Sequence, residues 1–306
     1  MTQPVPQDLL GEIYAQWADE MQAHPDMSLQ LLRIMFDDWQ RATAEPEEVT
    51  YRHTEVGGVP GIWAEPSTAA ASSAGEVMLL LHGGGFALGS SASHRKLGGH
   101  LARSCGAPVF VADFRLAPEH PYPAAIEDAL AVLAAWRAEG RDPARVSLVG
   151  DSAGANLAIA TTLRLRQAGE PLPRQVITMS PWLNMENTGA TLDTNDATDF
   201  LITREGLQAN IDRYIAGACH PTDPFANPLY ADLTGFPRLY ICAGSVESLL
   251  DDSVRLHELA RKHDVDVTLS VGEGQQHVFP FLAGRTERAD QEISAIADWY
   301  RRGLPA

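Results

Sequence analysis

Two periods organise the apolar and polar positions along this chain of 306 residues. Near the N-terminus the period is helical. Residues 7–22 and 26–43 each predict an amphipathic helix, the second with Leu31, Leu32, Met35, Phe36 and Trp39 on one stripe and Asp26 as its N-cap. Such a stripe is expected to pack inward, and one face of it also suits the wall of an apolar pocket. From residue 49 the period shortens to two. Residues 50–56 and 59–65 predict strands joined through Gly57-Gly58 as a hairpin, and the small residues of 67–75 predict a surface loop. The run 77–81 is continuously apolar, as expected of a strand buried on both faces. Helices and short apolar strands then alternate: a helix around 97–105, a strand at 108–112, a helix at 124–139, a strand at 145–150, a helix to about 167 and a strand at 175–180. The rhythm stops after Pro181 and resumes with a strand at 238–243, a helix at 249–263, a strand at 265–271 and a last helix at 285–302.

This alternation predicts an α/β fold with a mostly parallel sheet covered by helices on both faces. The interruption, 181–222, follows a strand end, so it is expected over the carboxyl edge of the sheet, where open α/β sheets bind ligands. Together with the N-terminal helices it reads as a cap. The expected division is therefore 1–48 as an N-terminal cap segment, 49–180 as the first part of the core, 181–222 as a cap insertion and 223–306 as the second part of the core.

Composition narrows the partners. With 40 acidic against 23 basic side chains, the formal charge is −17, which repels nucleic acid and anionic lipid. Neither is an expected partner, and no segment is apolar for the length of a membrane span. The three cysteines, Cys105, Cys219 and Cys242, are far apart and odd in number. They suit a reducing, cytoplasmic compartment better than a disulfide framework. Residues 1–7 show no basic segment leading into an apolar run, so no secretory leader is expected.

The chemistry is concentrated where the strand at 145–150 runs into Gly150-Asp151-Ser152-Ala153-Gly154 and then a helix. A serine in so sharp a turn needs small neighbours, which Gly150, Ala153 and Gly154 provide. Its hydroxyl then stands at a helix N-terminus, where developing negative charge is favoured. Serine also needs a base and a partner for that base. Among ten histidines, His277 alone follows a strand end near the C-terminus; His24, His53, His220, His257 and His263 fall in polar connections or a solvated helix. The acid should lie between serine and histidine in sequence, just past a strand. Glu247 fits best, with Asp251 as its rival and Asp252 beside it. His82-Gly83-Gly84-Gly85-Phe86 follows the strand at 77–81. Glycines there let backbone N–H groups turn inward, so Gly84 and Gly85, with Ala153, are expected to hold an oxyanion. The loop lacks the Gly-Lys of a phosphate cradle, and Leu88 stands where a dinucleotide fingerprint needs its third glycine. No HExxH or paired-cysteine motif is present, so neither metal nor cofactor is expected.

Three segments, His82–Phe86, Phe114-Arg115-Leu116-Ala117-Pro118-Glu119 and Gly150–Gly154, resemble the hormone-sensitive-lipase-like family of α/β-hydrolases, above all its bacterial esterases. The likeness extends from about Tyr51 to Trp299. It implies an eight-stranded α/β-hydrolase sheet with a helical cap, Ser152 as nucleophile, His277 as base, Gly84, Gly85 and Ala153 as oxyanion donors, and short- or medium-chain acyl esters as substrates without metal or cofactor. Phe114 departs from the family's usual tyrosine. Glu247-Ser248-Leu249 replaces the usual Asp-Pro-Leu, although Glu247 keeps the usual placement, 30 residues before His277. Asp151 reads as a polar brace of the elbow, and Arg115 and Glu119 as a structural pair. Two other readings remain open. Phe86, Trp182 and an apolar cap would also suit a compact monoterpene-type ε-lactone, and the same fold serves as a non-catalytic small-molecule receptor where the histidine is lost. Relatives often pair through the last strand and its helix, which gives a homodimer as an expectation.

Overall fold

The computed structural model describes residues 6, 8–68 and 75–304. Eight strands form one sheet: β1 (Val49–Val56), β2 (Val59–Pro66), β3 (Val77–Leu81), β4 (Val109–Ala112), β5 (Val146–Asp151), β6 (Gln175–Met179), β7 (Arg238–Gly244) and β8 (Val267–Gly272). Their order across the sheet is β1-β2-β4-β3-β5-β6-β7-β8. The hairpin β1–β2 turns at Gly57-Gly58 as expected and joins β4 antiparallel, and every later pairing is parallel. The helices of the described residues are α1 (Leu9–Ala23), α2 (Leu29–Asp37), α3 (Ser91–Cys105), α4 (Ala124–Ala138), α5 (Ala153–Gln167), α6 (Thr191–Thr194), α7 (Arg204–Ile215), α8 (Leu250–Lys262) and α9 (Glu287–Arg302).

Strand alternation builds two cores from one sheet. In β3, Val77, Leu79 and Leu81 face a core shared with Ile126 of α4, Leu157 of α5 and Leu256 of α8. Met78 and Leu80 face the other, shared with Leu97 and Leu101 of α3 and Ile293 and Ile296 of α9. All five residues are buried, because a strand covered on both faces has no solvent side to give polar residues. The segment 181–222 contributes Trp182, Leu207, Ile211 and Tyr214 to the first core. The N-terminal helices contribute Leu10, Tyr14, Trp17, Phe36 and Trp39 to the second.

Several expected boundaries move, each for a local reason. The helix of 26–43 is shorter: α2 starts after Ser28, whose Oγ accepts the Leu31 N–H at 3.3 Å, so Ser28 and not Asp26 is the N-cap. A 3-10 turn, Asp38–Arg41, replaces the helix's second half and carries Trp39 into the core. The apolar stripe is not uniformly inside, for Leu31 is 54% exposed. Helix α3 starts at Ser91, well before 97, because Ser90 and Ser93 form a reciprocal capping box. Strand β8 starts at Val267 rather than 265. Most of the expected loop at 67–75, residues 69–74, lies outside the described residues.

Candidate active site

Strand register gathers the candidate residues. Leu81, Gly150, Thr178, Ile241 and Leu269 pair across neighbouring parallel strands, so the segments after β3, β5, β7 and β8 leave the sheet at the same edge. Those four segments carry the glycine loop, Ser152, Glu247 and His277.

Ser152 occupies the elbow between β5 and α5 with φ 51° and ψ −120°, a conformation that L-residues seldom adopt. The backbone holds it there. Its N–H donates to the Met179 carbonyl at 2.9 Å, and its own carbonyl accepts from the N–H of Trp182 at 3.1 Å and of Ala155 at 3.2 Å. The small neighbours are sterically required: a Cβ on Gly154 would collide with the Leu81 carbonyl, and one on Gly150 with the Gly154 carbonyl. Asp151 is fully buried and accepts the Gly83 N–H at 3.1 Å, which is the bracing role expected of it.

His277 and Glu247 are both fully buried, with Nδ1 and Oε1 3.7 Å apart. That spacing is longer than a hydrogen bond, and catalytic contacts are commonly long before substrate binds. The second glutamate oxygen is already taken, accepting from Ser180 Oγ at 2.6 Å and from the Gly244 N–H at 2.9 Å. Oε1 therefore remains for the histidine. Burial alone would push the His277 pKa down, but Glu247, with Asp199 and Asp151 farther off, outweighs it and holds the value above the usual range. The rival carboxylates are occupied elsewhere. Asp251 sits at the start of α8, accepting from the Ala190 N–H at 3.3 Å and pairing with Arg255 at 3.7 Å. Asp252 accepts the Leu183 and Asn184 N–H groups, and burial pushes its carboxyl up to about 6.

The glycine loop lies against the serine elbow, for a Cβ on Gly83 would come within 3.1 Å of the Ser152 Cβ. Gly84 and Gly85 have φ of 112° and 62°, open to glycine and costly for other residues. Among the described residues, no loop or side-chain acceptor takes the N–H of Gly84, Gly85 or Ala153. A Cβ on Gly85 would collide with Asn210 of α7, so this helix lies directly against the loop. Phe86 stacks flat on Tyr214, with centroids 3.6 Å apart, and Trp182 lies 5.6 Å from Phe86; both are buried. His82 stacks on Phe114 at 4.2 Å, and burial pushes its pKa down to about 4, with His94 adding to the shift.

Some contacts differ from expectation. Arg115 and Glu119 do not pair. Arg115 binds Asp128 and Glu127, and Glu119 binds Arg33 of α2 at 2.7 Å. The Arg33 guanidinium also donates to the carbonyls of Ala87 and Ala117, which fixes it beside Glu119. Ser180 was not singled out from the sequence, yet its hydroxyl also accepts the Val278 N–H at 2.9 Å, joining the glutamate to the residue after His277. Tyr14 was missed as well; its hydroxyl donates to the His277 carbonyl at 3.0 Å and accepts from Trp39 Nε1 at 2.9 Å. A lone serine before proline, or a tyrosine on an amphipathic helix, carries no signal for such a contact.

A serine elbow at the carboxyl edge of this sheet defines an α/β-hydrolase, and the model of the α/β-hydrolase fold matches residues 78–281. The chain belongs to the bacterial hormone-sensitive-lipase-like branch of that family and is a carboxylic ester hydrolase. It is similar to the acetyl-hydrolase of Streptomyces hygroscopicus, 41% identical over 247 residues that cover 81% of each chain. It is 37% identical to an esterase of Acinetobacter venetianus over 268 residues, covering 88% of this chain and 87% of that one. The crystal structure of an esterase from the bacterial hormone-sensitive lipase family superposes with a TM-score of 0.90 at 34% identity, covering 98% of this chain and all of the other. The receptor reading is thereby set aside. Among the described residues no helix is long and apolar enough to cross a membrane.

Proposed function

We propose that Ser152, His277 and Glu247 form the catalytic triad of a serine carboxylesterase, with the N–H groups of Gly84, Gly85 and Ala153 as the oxyanion hole. His277 Nε2 takes the Ser152 proton as Oγ attacks the acyl carbonyl. Glu247 Oε1 stabilises the imidazolium, and the tetrahedral oxyanion rests on the three amides. The imidazolium returns its proton to the leaving alcohol, and water deacylates Ser152 by the same route. Each oxyanion donor contributes about 3 kcal/mol to lowering the barrier.

The observation that carries this reading is the buried Glu247–His277 pair, with its one free carboxylate oxygen, on the sheet edge that also presents the strained Ser152. Residues 1–48 and 181–222 are read as the cap over 49–180 and 223–306. The stack of Phe86 on Tyr214 and the Asn210–Gly85 contact support this. Short- to medium-chain acyl esters are the proposed substrates. Ser152→Ala should abolish hydrolysis of p-nitrophenyl butyrate, and a fluorophosphonate should label Ser152 of the wild-type protein. Substantial activity in the Ser152→Ala protein would sink the nucleophile assignment.

A further inference from the structure

Behind the glycine loop runs a line of polar side chains, half-buried at Asp37 and Ser90 and buried from Ser93 inward, that hydrolysis as written does not use. Ser90 Oγ donates to Asp37 Oδ1 at 2.6 Å. Ser90 and Ser93 cap each other, and Ser93 Oγ lies 2.8 Å from His94 Nδ1. His94 Nε2 lies 3.2 Å from Asp151 Oδ2, and Asp151 Oδ1 receives the Gly83 N–H at 3.1 Å. His94 is wholly buried, with Trp39 and Phe281 edge-on to it at 5.5 and 4.9 Å. Rings on those sides leave the imidazole only Ser93 and Asp151 as hydrogen-bond partners among the described residues. An ionised carboxylate only accepts, so Nε2 carries the proton and Asp151 is held at both oxygens. A carboxylate fixed at both ends cannot swing, and neither can the amide that it holds.

We infer that His94 is a positioning residue for ester hydrolysis. Through Asp151 it fixes the Gly83 amide, and with it the two amides that follow, those of Gly84 and Gly85. This rests on the hydrolytic reading above. It also explains how a buried carboxylate is tolerated next to the nucleophile: both of its oxygens are hydrogen-bonded, one by His94 and one by the Gly83 N–H. Without His94, Asp151 keeps one anchor and the loop gains freedom. The loss falls on the tetrahedral state, not on ground-state binding, and so on kcat rather than KM.

The test uses the full chain with active sites counted by end-point fluorophosphonate titration. His94→Asn reaches only the Nδ1 position and loses Asp151. It should lower kcat per active site by roughly 10- to 100-fold with KM changed less than about twofold. Affinity for an alkyl boronic acid, which forms a tetrahedral adduct on serine, should fall in parallel. His94→Gln places an amide N–H near the Nε2 position and should recover most of both. Ser93→Ala, which removes only the Nδ1 partner, should give a smaller loss of the same kind. A folded His94→Asn protein with unchanged kcat and boronate affinity would overturn the inference. So would His94→Gln being as impaired as His94→Asn. If His94→Asn does not fold, Ser93→Ala decides on the same readouts, and no change there overturns it. A wild-type protein that hydrolyses ester but does so independently of Ser152 is the separate failure of the hydrolytic reading.

Discussion

At the scale of single residues, the proposed triad turns on which carboxylate serves His277. Glu247→Gln should lower kcat/KM on p-nitrophenyl butyrate by several orders of magnitude, as loss of a triad acid does. Asp251→Asn should leave it within about twofold, since Asp251 addresses Ala190 and Arg255. Glu247 also sets a pH dependence. The proposed base, His277, works only when neutral, and its pKa is raised, so kcat/KM should fall as pH drops through a midpoint above 6.5. In the residual activity of Glu247→Gln that midpoint should move down, because burial then acts on the imidazole without its nearest negative charge. A pH–rate profile of both proteins checks the sign. That Glu247 lies beside His277 was legible in the sequence, because both follow strand ends in the chain order of the fold. Ser180, which fixes one oxygen of Glu247, was not legible, because its contact depends on two strand ends lying side by side. The pairing expected between Arg115 and Glu119 failed for the same reason: nearness in sequence says little when Arg33 arrives from α2.

Elements were legible where burial dictated composition. The runs of β3 and β4 are buried along their whole length and could be read as strands from apolarity alone. Helix starts were less legible, since Ser28 and Ser90, not the apolar period, decide them. The strand–elbow–helix unit allows a sharp prediction. Gly154→Ala drives a Cβ into the Leu81 carbonyl and should yield little folded protein, read as loss of a cooperative melting transition. The N-terminal elements allow a milder one. Trp39 is buried, stacked on Phe281 at 4.9 Å, and hydrogen-bonded to Tyr14. Trp39→Ala should cost about 3–5 kcal/mol in denaturant unfolding. It should also lower kcat/KM, because Tyr14 loses a partner while holding the His277 carbonyl.

Across the whole molecule the net charge of −17 acts on substrate choice before any contact forms. An ester bearing a carboxylate should show a kcat/KM that rises between 0.01 and 0.1 M salt, as the screening length shrinks from about 30 to about 10 Å. A neutral ester of the same size should show little change, and stopped-assay rates at the two salt concentrations separate them. A different consequence follows from the bond between Tyr14 and the His277 carbonyl, which joins residues 263 apart. His277 is synthesised 263 residues after Tyr14, roughly 10–50 s later at ordinary elongation rates. Phe281, on which Trp39 stacks, arrives with it. Over that interval Trp39 of the aromatic cluster lacks Phe281, its stacked neighbour, and Tyr14 lacks the carbonyl to which it donates. On the proposed mechanism no hydrolysis can precede the synthesis of residue 277, so the first helix waits for the far end of the fold before the site can work.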